Sequence, residues 1–167
     1  MNHIRDIARS LLFYLVFYSG SIFYAGWSVV LLYISVKRFK SFVLRWCDFH
    51  RFCTRYILGI RVVIEGTLPK SHAFIAMKHE SFFEAIDAPN LVPGAAVIAK
   101  AELLRIPLWG KAATAYGLIG VEREQGASAL RTMLIQARER IEAGRVLIIF
   151  PEGTRTPHNQ EAPLASG

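Results

Sequence analysis

Cysteine is scarce in this 167-residue chain, with only Cys47 and Cys53, six positions apart. Two such residues exclude a disulfide framework and lack metal-ligand spacing, so both read as small apolar packing residues. Acidic residues are also in short supply, 13 against 20 lysines and arginines, for a formal charge of +7. No zinc-finger, RNP or basic-zipper pattern accompanies that charge, which argues against nucleic acid as a partner. Attraction to anionic lipid headgroups fits better. The phosphate-cradling Gly-x-x-x-x-Gly-Lys, the dinucleotide Gly-x-Gly-x-x-Gly and the nucleophile elbow are all missing, as are zinc motifs.

The most telling absence is local. Residues 11–36, LLFYLVFYSGSIFYAGWSVVLLYISV, carry no charged side chain, whereas charges recur at short intervals from Lys37 onward. An apolar run of this length is the usual signature of a membrane segment. As a helix it measures roughly 39 Å, enough to cross a core of about 30 Å with tilt. Arg5 and Arg9 precede it as in a signal peptide, but the run exceeds the usual core of about 7–15 residues. No clear small-x-small cleavage site follows, so an uncleaved anchor is expected. Gly20, Ser21 and Gly26 leave two forms open, a single span or a hairpin in one leaflet. Lys37, Arg38, Lys40 and Arg45 weight the downstream side, which places the main domain on the cytoplasmic side of an inner or cytoplasmic membrane.

Residues 41–58 read as an amphipathic helix with Phe42, Trp46, Phe49, Cys53 and Ile57 on one face. The face suits either the bilayer interface or packing on a domain. From Arg61 the pattern changes. RVVIEG reads as a first strand, and HAFIAM (72–77), AAVIA (95–99) and RVLIIF (145–150) are short apolar runs suited to strands buried on both faces. A weaker strand lies in YGLIGV (116–121). The clearest helix is SALRTMLIQARERIEAG, with Leu130, Met133, Leu134, Ala137 and Ile141 in one stripe and Gly144 as its stop. Alternating strands and helices predict an α/β fold: a mostly parallel or mixed sheet flanked by helices, preceded by a membrane-anchoring helical region. The expected division is 1–58 for the anchor and 59–167 for the α/β domain. That domain is expected to be incomplete at its C-terminus, because no helix and strand follow RVLIIF.

Three segments can carry chemistry: KHESFFE (78–84), GVER (120–123) and FPEGTR (150–155). The first and third directly follow predicted strands, and ligands of open α/β sheets bind beyond the strands' carboxyl ends. His79 and Glu152, 73 positions apart, can therefore share one sheet edge. A neutral imidazole there can act as a base when a carboxylate fixes its tautomer. Glu84 lies five residues on, with Asp87 one helical turn further as a reserve; Glu80 adjoins the histidine and points elsewhere. The plainer alternative is a surface histidine beside helix-starting acids. In FPEGTR, Pro151 ends the strand, Gly153 allows close approach of a ligand, and Arg155 offers a planar fork for phosphate. Glu152 can accept a ligand hydroxyl or hold Arg155. A β-turn with a surface ion pair is the alternative there. Arg123 is a second phosphate candidate, with a solvated arginine beside Glu122 and Glu124 as its alternative.

KHESFFE, KAELLRIPLWG, GLIGVER and FPEGTR, in this order and spacing, resemble the glycerolipid acyltransferases. The group most like it is the bacterial 1-acyl-sn-glycerol-3-phosphate acyltransferases. The resemblance runs from about Arg61 to the end, and a hydrophobic N-terminal region is typical of the family. It implies His79 as base and Glu84 as the carboxylate that orients it, where aspartate is more common. It assigns the acceptor's glycerol phosphate to Arg123 and to Glu152, Gly153, Thr154 and Arg155. Glu122 stands where aspartate is common, and the family's fourth motif, an apolar segment with a proline, is not found before Gly167. The implied reaction moves a fatty acyl group from acyl-CoA or acyl-carrier protein to the sn-2 hydroxyl of 1-acyl-glycerol-3-phosphate, without metal or cofactor. Another lysolipid acceptor, such as lysophosphatidylethanolamine or a lyso-ornithine lipid, or a non-catalytic lipid-binding role, is the alternative.

Overall fold

A computed structural model describes residues 3–122 and 126–160. Two units divide the chain, Met1–Thr67 and Leu68–Gly167.

In the first unit the uncharged run forms the middle of α1 (His3–Ile34), which continues unbroken through Gly20, Ser21 and Gly26. By length and composition α1 can cross a membrane. Ser35 alone interrupts the helical path. Its Oγ accepts from the Arg38 N–H at 3.4 Å and so caps α2 (Val36–Cys53). A π-helical turn, Thr54–Leu58, follows and is closed by Gly59 at φ 79°, a left-handed conformation that glycine adopts without strain. The two helices run antiparallel. Tyr24 meets Phe42 with ring centroids 4.9 Å apart, Trp46 Nε1 donates to Ser21 Oγ at 2.9 Å, and Arg9 Nε donates to the Ile57 carbonyl at 2.5 Å. The partner of the aromatic face of 41–58 is therefore α1. Gly20 matters to this contact, because a Cβ there would run into the Phe49 ring. The outward side chains of α1 stay exposed, including Ile22 at 71 % and Leu15 at 68 %.

The second unit holds four parallel strands: β1 (Phe74–Ala76), β2 (Ala96–Lys100), β3 (Ile119–Val121) and β4 (Leu147–Ile149). Their spatial order is β1-β4-β2-β3, so β4 lies between β1 and β2. The register sets Ile75 beside Ile148 and Val97 beside Ile148 in turn. Side chains alternate across the sheet. Val97, Val146 and Ile148 pack on one face with Ala88 and Val92 from α3 (Phe83–Leu91) and the turn after it. Ala96, Ile119 and Leu147 pack on the other with Ala137 from α5 (Ala127–Glu142). This two-sided burial is what the short continuous apolar runs encode.

Two expectations need correction. Residues 61–66 form no strand: Val63 is 74 % exposed and the segment makes no ladder among the described residues. Its β-branched side chains favour extended backbone, but a strand requires a partner. On α5, Leu130 and Leu134 face outward, at 38 % and 56 % exposure. The inner stripe is Ala129, Met133, Ala137 and Ile141, where the small alanines let the helix lie close to the sheet.

The connection from β2 to α4 (Trp109–Tyr116) contains a 3₁₀ turn, Ala101–Arg105, within the KAELLRIPLWG segment. Gly110 is required there, since a Cβ would strike the Leu104 carbonyl oxygen. At the opposite, amino end of the sheet, Arg145 ties two loops together. Nε donates to the Gly94 carbonyl at 2.6 Å, and one terminal nitrogen donates to Ala95 O at 3.0 Å and Tyr116 O at 2.9 Å. Burial lowers the pKa of this guanidinium below its ordinary value, with Arg140 adding to the effect.

Candidate active site

Because β1 and β4 are neighbours, the loops leaving their carboxyl ends emerge side by side. The first loop carries Lys78 and His79, and the second carries FPEGTR. The ladder extends past both strands, with the Met77 N–H donating to Ile149 O at 2.9 Å. Beyond it the Thr156 N–H donates to the His79 carbonyl at 2.7 Å, and the His79 ring lies against Phe150 with centroids 4.3 Å apart. Ring and backbone are thus held from the β4 side.

The carboxylate facing His79 is that of Glu84: Oε2 lies 3.5 Å from Nδ1. That distance is ion-pair reach, longer than a formed hydrogen bond, and such contacts commonly tighten when a substrate binds. Ser81 explains how Glu84 is aimed. Its N–H donates to Glu84 Oε2 at 3.0 Å and its hydroxyl to Oε1 at 3.2 Å, while its Oγ accepts from the Phe83 N–H at 3.1 Å. This reciprocal Ser-x-x-Glu pairing sits one residue ahead of the N-cap, Phe82, and steadies the entry to α3 in the manner of a capping box. The acid is therefore both a helix-starting residue and the histidine's neighbour. Removing the Ser81 hydroxyl should cost about 1 kcal/mol of stability. In a calorimetric scan of Ser81→Ala the unfolding midpoint should fall by roughly 2–4 °C.

Asp87, the reserve carboxylate, is buried on α3, where Oδ1 accepts from Asn90 Nδ2 at 3.3 Å. Glu80 points away from the ring toward Lys78 Nζ at 3.3 Å and His158 Nδ1 at 3.2 Å. The hydrogen bond from His158, then that from Lys78, lowers its pKa. In FPEGTR the Gly153 N–H donates to the Phe150 carbonyl at 3.0 Å, closing a turn with Pro151 and Glu152 at its centre. Gly153 is buried at φ 65°, and Thr154 is exposed. Glu152 is half-buried, and its Oε2 has no hydrogen-bond partner among the described residues. Arg155 goes to an aromatic ring: its Cζ lies 4.3 Å from the Phe82 centroid. Arg123 lies outside the described residues. The strand before it, β3, is separated from β4 by β2, so its carboxyl end is two strand spacings away, roughly 10 Å. Glu122 pairs with Arg105.

The arrangement brings to one edge of one sheet an imidazole, a carboxylate, a second carboxylate and a guanidinium, the last two with no ion-pair partner among the described residues. The acyltransferase family profile matches residues 59–167. The chain belongs to the acyltransferase family. Among acyltransferases of known name, it is 31 % identical over 166 residues to the 1-acyl-sn-glycerol-3-phosphate acyltransferase of Pseudomonas aeruginosa, covering 95 % of this chain and 63 % of the relative. The enzyme of that name from Helicobacter pylori is 28 % identical over 158 residues, covering 92 % and 60 %. The crystal structure of the 1-acyl-sn-glycerophosphate (LPA) acyltransferase PlsC from Thermotoga maritima matches with a TM-score of 0.70 at 26 % identity, covering 95 % of this chain and 65 % of that one. The chain thus spans somewhat under two thirds of the length of these acyltransferases.

Sequence reasoning passed over three residues that shape this candidate site. Ser81 had a legible signal, the Ser-x-x-Glu spacing. Phe82 and Thr156 had none, because each acts on a segment some 70 positions away.

Proposed function

We propose that the protein transfers a fatty acyl group from acyl-CoA or acyl-carrier protein to the sn-2 hydroxyl of 1-acyl-glycerol-3-phosphate, giving phosphatidate. The observation that carries the reading is the approach of Glu84 to His79 Nδ1, which leaves Nε2 as the ring nitrogen available to a substrate hydroxyl. His79 takes the hydroxyl proton as the oxygen attacks the thioester carbonyl. Collapse of the tetrahedral intermediate expels the thiolate, which recovers the proton from the imidazolium and leaves as the free thiol. Glu84 stabilises that imidazolium while it lasts. Arg155 binds the acceptor phosphate through its N–H edges, joined by Arg123, and the free Oε2 of Glu152 accepts from the glycerol. Gly153 and Thr154 supply the turn that presents them. Holding both substrates in place can lower the barrier by up to about 7–11 kcal/mol. The scheme requires no metal or cofactor.

The first unit serves as the membrane anchor. The length and apolar surface of α1 support this, and the basic residues after it favour the cytoplasmic side. Such placement suits a reaction whose acceptor and product are both lipids.

Arg155→Ala tests the acceptor assignment. KM for lysophosphatidate should rise about tenfold to a hundredfold, the value of one lost charge-assisted contact. Lysolipids without phosphate should be unaffected; an equal rise for every acceptor would remove the phosphate role. Failure to release thiol from either donor would favour a non-catalytic lipid-binding protein.

A further inference from the structure

Arg155 is exposed, yet its guanidinium is seated on the Phe82 ring, 4.3 Å from the centroid. Phe82 belongs to the turn that carries the base, three positions after His79, and is itself 52 % exposed. The chain just after Arg155 is fastened to the same turn at two points. The Thr156 N–H holds the His79 carbonyl, and His158 Nδ1 reaches Glu80 at 3.2 Å.

The kind of contact matters. A carboxylate partner would occupy the guanidinium's N–H edge and offset its charge. An aromatic ring engages only the flat face, leaving the five donors and the full positive charge for an anion. An exposed phenylalanine has little reason to be there for burial, and this one provides the only seat for Arg155 among the described residues. We propose that Phe82 is a positioning residue for the acceptor phosphate, fixing the plane of Arg155 to the base-bearing turn so that clamp and base keep a constant separation. The inference rests on the phosphate role of Arg155 given above.

The experiment is a double-mutant cycle on the full chain with lysophosphatidate and acyl-CoA. Phe82→Leu should raise KM for lysophosphatidate about threefold to tenfold, with KM for acyl-CoA unchanged and kcat within about twofold. Phe82→Trp, which keeps a ring face, should restore the parent KM. In an Arg155→Ala background, Phe82→Leu should add nothing. Phe82→Met serves if the leucine variant folds poorly, with the same expected result. A parent-like acceptor KM in Phe82→Leu, or its full effect persisting without Arg155, overturns the inference alone. An unchanged KM in Arg155→Ala overturns the phosphate reading and this inference together.

Discussion

His79→Ala should lower kcat for acyl transfer to lysophosphatidate by about 10²–10⁴-fold, the usual contribution of a positioned general base. KM for either substrate should change far less, because the ring contributes to proton transfer rather than to holding lipid or thioester. The fold should survive. The backbone contact of this residue, from the Thr156 N–H, is kept by alanine, and the lost ring contact is with one face of Phe150. The assay is thiol release with acyl-CoA, alongside a thermal scan to confirm that the variant is folded. Full activity in a folded His79→Ala protein would sink the base assignment. Glu84→Gln refines the result. Its amide oxygen can still accept from the Ser81 N–H, so the helix cap is largely kept while the charge beside Nδ1 is removed. A large fall in kcat with little loss of stability separates the acid's electrostatic part from its structural one.

Arg145→Ala should be the most damaging change away from the site. Its guanidinium answers three carbonyls, of Gly94, Ala95 and Tyr116, from two segments otherwise joined by the Gly94 N–H donating to the Tyr116 hydroxyl at 3.1 Å. Removing it leaves those acceptors in a partly buried setting and opens the space beside Gly117, where a Cβ would otherwise meet the guanidinium. Hydrogen bonds to charged groups are worth about 1.5–3 kcal/mol each, so a loss of about 2–4 kcal/mol is expected after partial replacement by water. The unfolding midpoint should drop by roughly 5–15 °C. Arg145→Lys should rescue little, since an ammonium cannot present two separated N–H edges to carbonyls on different loops. A midpoint within 2 °C of the parent, on the order of 0.5–1 kcal/mol, would remove the clamp.

The strands were legible because burial on both faces leaves a plain mark: HAFIAM, YGLIGV and RVLIIF each contain an observed strand, and AAVIA covers all of β2 but its last residue, Lys100. RVVIEG carries a similar mark without a ladder, since composition records a preference for extended backbone and says nothing about a partner. On α5 the stripe was displaced because leucines outweigh alanines on any hydrophobic scale. At the actual interface, close approach favours the smaller side chain. That His79 and FPEGTR share a sheet edge was readable from two strands of one parallel sheet. That they are immediate neighbours was not, because strand order is decided by pairings across the whole domain. Arg145 was hidden for a related reason. Its role consists of backbone carbonyls, which have no letter in a sequence.

The insertion of β4 between β1 and β2 has a consequence during synthesis. Among the described residues β1 has no ladder partner except β4, which the ribosome reaches about 70 residues later, a wait of roughly 4–14 s at about 5–20 residues per second. Throughout that interval the segment bearing His79 has been translated while the loop that steadies it has not. In the nascent chain the turn bearing His79 thus stays without its β4-side support until β4 pairs with β1.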